Sequence, residues 1–569
     1  MDLEQLIETD IWQLYEKHTN FMRKKNYYAS TDRNFRFFNG NQWEGVVLKK
    51  AEPVQINFIK PIVRYKVGVV TSTDYAIIYN SENFDSKEFR QVAKNASELI
   101  TKKAQKIWEQ TKMDTKVKKC VKKAAVNGEV ILYWYWDSDT DSLKNEIMSK
   151  VDVMYGNECE DDIQEQPYIL LKRRKSLMQA IEYAKAKGAP DSDLSAIHSD
   201  NFTSESSGES AKEEVDDMVT IVTKLYKKDG TVHFSESAKF VDIIKDQDTG
   251  TMYYPLSHLN WEDQEGSARG IGEVEQHIET QIEVNKTATR RAFVAKTISY
   301  PHVVVNKSKI ANPNAINKVG SVIEINDSNA EDVSKYYKIT TPGQMSSDIA
   351  NLQNELITVS RELAGAGDIA TGQIKPDEAS GKAILAVQRA SEQPLDEQSS
   401  ATKQFIEDNG LIIFDMLKTY SDTLTIVDET SDPMSGDVVE NVIEIPKYIL
   451  DALQLSIRID VTPKSAYDQY AQEVSLENLA KSELFLPQNQ QLLEDYVSLL
   501  DEYSTMPKAK LLELLKRRKE RSQAINEIQN QAQQLKMQAQ QAQANAMDID
   551  NMSQIGNQMI EQATANNQM

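Results

Sequence analysis

Two hydrophobic periods alternate along this chain, and each change of period marks a predicted element. Residues up to about 70 read as helices and turns rich in aromatics, with Pro53 and Pro61 bracketing Val54-Gln55-Ile56-Asn57-Phe58-Ile59. Residues 85–125 have helical spacing, with Val92, Ala96, Leu99, Ala104 and Ile107 on one side and lysines around them. Asn127-Gly128 is a turn signal, and Val130-Ile131-Leu132-Tyr133-Trp134-Tyr135-Trp136 predicts a strand. Residues 138–215 are mostly polar and acidic, with a Ser-rich patch at 204–208, and predict an insertion with mobile loops. Short strands and hairpins are expected from Val219 to Val241.

Beyond Gly270-Ile271-Gly272 the helical period returns and runs to about Ser299. Val274, Ile278 and Ile282 share one face, and Ala288, Ala292 and Ala295 continue with small residues that permit close helix approach. Pro301 ends it. Three strand-like pieces follow, 302–305, 321–325 and 336–339. A second helix starts at Ser346 or Ser347, and its Ile349, Leu352, Leu356, Val359 and Leu363 have the 3-4-3-4 spacing of a seam for another helix. A glycine-rich loop, Ala364-Gly365-Ala366-Gly367-Asp368-Ile369-Ala370-Thr371-Gly372-Gln373, leads to a third helix from Ser380 to about Tyr420, which Pro394 should kink or interrupt. Strands return between 423 and 463. From Tyr467 the chain reads as helical, and its Gln-, Asn-, Ala- and Met-rich end is either a long polar helix or partly disordered. Blocks of helix and strand in this order make the fold class α+β.

Composition narrows the function. The 569 residues suffice for several domains or one elongated subunit, and the net charge of −22 argues against gripping DNA through its phosphates. An acidic pore that lets DNA slide is compatible with that charge. The N-terminus shows no secretory signal, and no apolar run approaches the roughly 20 residues that cross a bilayer, so no membrane partner is expected. Cys120 and Cys159 cannot form a disulfide framework and fit synthesis in a reducing cytoplasm. Lysines 118, 119, 122 and 123 could lower the Cys120 thiol pKa, but a small buried residue on a helix is the simpler reading.

Tests for chemistry come out empty. A phosphate loop needs G-x-x-x-x-G-K-[ST]; here Pro376 stands five before Gly381, and Ala383 follows Lys382. Gly365-x-Gly367 is followed by Ala370 where a dinucleotide site needs a third glycine. His18, His198, His233, His258, His277 and His302 form no short-spaced pair, so no metal site is expected, and no G-x-S-x-G elbow occurs. Glu158-Cys159-Glu160-Asp161-Asp162 reads as an acidic loop, with a divalent cation as the sharper alternative. Lys172-Arg173-Arg174-Lys175 reads as a surface patch, with contact to DNA or an acidic partner as its alternative. No catalytic residue and no cofactor is expected.

Asp32-Arg33-Asn34-Phe35-Arg36-Phe37-Phe38-Asn39-Gly40-Asn41-Gln42-Trp43 packs aromatics against a glycine turn closed by a tryptophan. This run, and Ala379-Ser380-Gly381-Lys382-Ala383-Ile384, resemble hallmarks of the portal (head-to-tail connector) family of tailed bacteriophages. The order helix, β-rich module, helix, glycine-rich loop, long helix resembles that family over about residues 20–510. The resemblance implies a portal fold with an N-terminal wing over 1–269, a stem helix over 270–299, a β-rich clip over 300–342 and a second stem helix over 343–363. A tunnel loop over 364–379, a long kinked helix over 380–422, wing strands over 423–466 and a helical crown with its tail over 467–569 complete it. It implies a ring, usually of twelve subunits, at one capsid vertex of the virion. That ring sits in the major capsid protein and passes double-stranded DNA without sequence specificity. It docks the terminase large subunit during packaging and a head-tail adaptor protein afterwards.

Candidate residues follow from that placement. Gly365, Gly367, Asp368, Thr371, Gly372, Gln373 and Lys375 would form the thinly charged tunnel loop. Glu275, Glu279 and Glu283 repeat every four residues, and Asp348, Glu355 and Glu362 every seven; they are solvated edges in one subunit and rings of charge in an assembly. Lys286 and Arg290, with Arg291 and Lys296, would form basic rings nearer the clip. His302, Val304, Asn306, Lys307, Val322 and Glu324 are the expected docking surface of the clip. Two other readings compete: a helical scaffold or internal virion protein, suited by the Gln-rich end but not by the strands, and a packaging ATPase, which would need Walker motifs.

Overall fold

A computed structural model describes residues 9–48, 51–81, 87–138, 140–200, 217–298, 302–318, 320–326, 332, 335–340, 347–366, 393–421, 423–431, 438–453 and 455–463, with a few isolated positions beyond. The chain divides into two units, Met1–Val461 and Thr462–Met569. In the second, Val497, Leu511 and Leu515 are buried helical positions. All that follows concerns the first.

It opens with α1 (Ile11–Lys24) and α2 (Tyr27–Asn39). Asp10 caps α1 by accepting the Trp12 N–H at 3.0 Å. Gly40 ends α2 in the left-handed region (φ +102°), where its N–H and that of Asn41 reach the Arg36 carbonyl. Next come α3 (Ile59–Val70) and β1 (Thr73–Ser81). The helix expected over 85–125 is two, α4 (Lys87–Gln110) and α5 (Met113–Asn127). Lys112 takes a left-handed conformation (φ +55°), and the Trp108 indole donates to Asp114 across the corner at 2.8 Å. No glycine or proline announces this break. Ala96, Leu99, Ala104 and Ile107 are buried as expected, whereas Val92 is exposed.

β2 (Glu129–Asp137) sits between β3 (Ser142–Ser149) and β9 (Leu256–Asn260) in an antiparallel sheet of order β3-β2-β9. Its alternation divides the core. Val130, Leu132 and Trp134 face the main apolar cluster, while Ile131 and Tyr133 face another. A second antiparallel sheet has the order β4-β5-β6-β7-β8, with β4 (Val153–Tyr155), β5 (Ile169–Ser176), β6 (Met218–Lys228), β7 (Thr231–Ala238) and β8 (Val241–Asp248). The stretch 138–215, expected as an insertion, contributes β3, β4 and β5 to these two sheets, with α6 (Leu177–Ala186) and α7 (Asp191–Leu194) after β5. Its Ser-rich patch lies outside the described residues.

α8 (Glu273–Ile298) and α9 (Ser347–Leu363) form a packed pair. Between them β10 (His302–Val305) and β11 (Tyr337–Thr340) pair antiparallel. The expected strand at 321–325 is not one: it makes a single bridge, Ile310 to Ile325. Asn312 replaces the rest of the ladder, donating to the Val322 carbonyl at 2.8 Å and accepting the Glu324 N–H at 2.9 Å. The described part of the long helix is α10 (Asp396–Tyr420), preceded by a 3-10 turn, Gln393–Leu395, that contains Pro394. Residues 380–392 lie outside the description. β12 (Thr423–Ser431) pairs with β13 (Val438–Pro446), and α11 (Lys447–Ala452) leads to β14 (Leu455–Pro463), which pairs with β1. Helices and strands come in blocks and the strand pairs of known register are antiparallel, so the class is α+β.

Candidate functional site on the α8–α9 pair

The start of α8 is fixed by close backbone approach. Gly128 (φ +98°) ends α5, and a Cβ there would overlap the carbonyl oxygen of Gly270. A Cβ on Gly272 would stand 2.8 Å from the Val126 carbonyl oxygen. The glycines that open α8 in the sequence thus let two chain segments touch.

Beside this contact lies a buried ion network. Arg269 donates to Glu129 at 2.6 Å and to both carboxylate oxygens of Glu158, at 2.7 and 3.0 Å. It also donates to the carbonyls of Lys150 and Val153, and stacks against Tyr27 and Tyr155. Lys150 donates to the Gly270 carbonyl at 3.1 Å. Burial alone would raise the Glu129 pKa; the Arg269 charge, the His258 hydrogen bond and Lys150 overcome it and hold the carboxyl at about 2. Such a network fixes the root of the helix.

Along its length α8 holds an extended segment by a polar ladder. Gln281 accepts the Phe58 N–H at 3.0 Å and donates to the Ile56 carbonyl at 2.7 Å. Asn285 accepts the Ile56 N–H at 3.0 Å, and Thr289 accepts the Val54 N–H at 3.0 Å. The 32–43 run closes this ladder from outside. Gln42 accepts from Asn285 at 2.6 Å and donates to the Phe37 carbonyl, and the Trp43 indole donates to the Val54 carbonyl at 3.2 Å. Asn57 donates to the Phe37 and Phe38 carbonyls. The Gly40 turn lies against the Gln55 amide, which a Cβ at 40 would meet at 2.8 Å. The motif that stood out in the sequence is a clasp on α8. Its partners Gln281, Asn285 and Thr289 went unnoticed, although polar residues every four positions beside Ile278 and Ile282 are a legible signal.

The candidate charges fall on open faces. Glu275, Glu279, Lys286 and Arg290 are exposed on α8, and Glu283 bridges Lys286 and Arg290 at 3.4 and 3.5 Å. Glu275 lies 3.9 Å from Arg33 of α2. Asp348, Glu355 and Glu362 are exposed along α9. The apolar seam of α9 is split: Leu356 packs on the main core cluster that also holds Val274, Ile278 and Val284 of α8, while the rest of it lies open. Leu352, Val359 and Leu363 are 48%, 43% and 83% exposed, while Gln353 and Ser360, at 4% and 8%, face inward. Gln353 accepts from Arg291 of α8 at 2.6 Å.

Between α8 and α9, Val304 and Val322 are exposed, as are Lys307 and Glu324. Asn306 is occupied locally, accepting from Ser308 and closing a turn with Lys309. His302 contributes its backbone to β10. Of the loop, Gly365 ends α9 with φ +68°; Gly367, Asp368, Thr371, Gly372, Gln373 and Lys375 lie outside the described residues.

The remaining candidates resolve into structure. Lys172, Arg173 and Arg174 are not a surface patch. Lys172 pairs with Asp152, Arg174 with Asp200, and Arg173 lies over the Tyr133 ring. Glu158 of the acidic loop is committed to Arg269, and Asp162 caps a 3-10 turn by accepting from Gln164. No metal-holding group of three or more His, Cys, Asp or Glu occurs among the described residues. Asp161, Asp162, His258 and Asp408 line a cavity of about 240 Å³ over Leu256 and Leu411. Burial pushes the Cys120 thiol up to about 12, against the neighbouring lysines, so it is a packing residue. No described helix is long and apolar enough to cross a membrane.

The sequence model of the Phage P22-like portal protein family matches residues 241–568. That stretch holds α8, β10, β11, α9 and α10. No curated protein matches the chain. With more than half of its residues matched by that one family, the chain belongs to the P22-like phage portal proteins.

Proposed function

We propose that copies of this chain close into a ring at one capsid vertex, around a channel through which double-stranded DNA is packaged and later leaves. The observation that carries this reading is the α8–clip–α9 hairpin inside the family match, together with Leu352, Val359 and Leu363 of α9 left exposed in the single subunit. An unburied seam on a rooted helix calls for a partner. The acidic balance of the chain favours sliding over binding, and no step of the proposed role requires catalysis.

In this reading the charges of α8 and α9 become bands at fixed heights of the assembly. Residues 364–379 approach the DNA. Val304, Lys307, Val322 and Glu324 belong to the face that receives the terminase large subunit and then the tail adaptor, while the major capsid protein surrounds the ring. A helical scaffold accommodates neither of the two larger sheets. Electron microscopy of the purified full-length protein, with its native mass, tests the reading. Rings with a central hole are expected, at about 0.8 MDa for twelve copies of 64.5 kDa. Filaments or elongated helical dimers would overturn it.

A further inference from the structure

We infer that the outward face of α9 is covered by α8 of a second copy of this chain, with Leu352 against Phe293 and Glu355 against Arg290. The inference rests on the ring reading and adds which faces meet.

The first reason is the direction of the amphipathic pattern. Ile349, Leu352, Leu356, Val359 and Leu363 keep the period of a helix–helix seam, yet only Leu356 of them packs on the subunit's own core, Gln353 and Ser360 are buried, and Ile349, Leu352, Val359 and Leu363 stand in the open. The second is charge. Glu355 and Glu362 run beside the seam, whereas the exposed stripe of α8 offers Lys286, Arg290 and the half-open ring of Phe293. An acidic edge with an apolar stripe thus has a basic edge with an aromatic as its counterpart on the same chain.

The third reason is register. Gln353 receives a hydrogen bond from Arg291, and the two helices run in opposite directions, so each step up α9 is one step down α8. Leu352 therefore lies within about one helical turn of the level of position 292, Glu355 of 289 and Glu362 of 282. Cyclic symmetry repeats these heights in every copy where the stem follows the ring axis. At matching height the next subunit presents Phe293 to Leu352 and Arg290 to Glu355, and Lys286 lies about one helical turn from Glu362. Lys286 and Arg290 now share Glu283 at an exposed site, where such pairs contribute little, so turning toward a neighbour costs little. The paired bands would neutralise one another at each subunit boundary.

The test places cysteines at Leu352 and Phe293 in full-length protein carrying Cys159→Ser. Cys120 stays buried. Rings that oxidise to a ladder of covalent multimers on a denaturing, non-reducing gel are the expected result. Rings that yield only monomer-sized bands would overturn this inference and leave the ring reading intact. Absence of rings in the unmodified protein would remove both. As a check that does not depend on sulfur chemistry, Arg290→Glu and Glu355→Arg should each lose rings and the double variant regain them. Rings unaffected by either single reversal would also count against it.

Discussion

The side-chain amide of Gln281 stands to Ile56 and Phe58 as the peptide group of a paired strand would, donating to one carbonyl and accepting from the N–H two residues on. A helix thereby serves as edge partner to an extended segment, and backbone groups buried beneath the N-terminal clasp are satisfied.

Removing that partner strands a buried donor and acceptor. Gln281→Ala should cost about 1–3 kcal/mol for each orphaned group. It should speed amide exchange at Phe58, whose N–H loses its acceptor, well ahead of the α5 core. Thermal melting with hydrogen exchange by mass spectrometry reads both. Unchanged exchange over 54–58 would show that the ladder is dispensable.

The Glu129 carboxyl is held at about 2 in the folded chain, against about 4.3 when unfolded. A depressed carboxylate stabilises above its unfolded pKa, and that contribution is lost as pH falls from about 4.3 toward 2. Glu129→Gln should be less stable at pH 7 and should lose less on acidification. Denaturant titrations at pH 7, 4 and 3 measure the two slopes. Arg269→Met should destabilise by about 3–5 kcal/mol, since it leaves two carboxylates without their cation.

Two glycines with similar φ make a controlled comparison. Gly128→Ala meets the Gly270 carbonyl as well as an unfavourable backbone angle, whereas Gly188→Ala (φ +84°) meets open space. The Gly188 change should cost about 1–2 kcal/mol and the Gly128 change clearly more. Equal melting temperatures for the two variants would contradict the close approach at the root of α8.

Cys120 is buried with its thiol raised to about 12, and Cys159 is exposed. Iodoacetamide at pH 8 should therefore modify one cysteine per native chain, Cys159, and both after denaturation. Peptide mapping distinguishes them. Rapid native labelling of Cys120 would mean that α5 opens.

Deleting Ala366–Gln373 should spare ring assembly and impair packaging or retention of DNA. Native mass and a packaging assay separate these outcomes; loss of the ring would make the loop a structural part.

Much of the architecture was legible because its signals are local. The β2 run, the Asn127-Gly128 turn and the spacing of Val274, Ile278 and Ile282 decide their elements within a few residues. What escaped depends on partners far away in sequence. Lys172 and Arg174 look like surface residues until Asp152 and Asp200 are placed beside them. The break at Lys112 follows from a corner tied by Trp108 and Asp114, with no residue that usually breaks helices. The seam of α9 was recognised as a seam, but periodicity cannot say which neighbour it meets. The clasp at 32–43 lies outside the stretch that the family match covers, so its link to α8 is a structural finding.

The near match of two pitches is what allows the ladder between α8 and residues 54–58. Four residues of helix advance about 6.0 Å, and two residues of extended chain about 6.6 Å, so successive rungs slip by only roughly 0.6 Å. The helix thus serves as a ruler for the extended segment, with marks at Gln281, Asn285 and Thr289. The next mark would fall on Phe293, which carries no hydrogen-bonding group, and beyond it Lys296 and Glu52 stand 3.6 Å apart at the surface. The ruler therefore ends where the sequence changes from polar to aromatic, and the last two turns of α8 are left for other contacts.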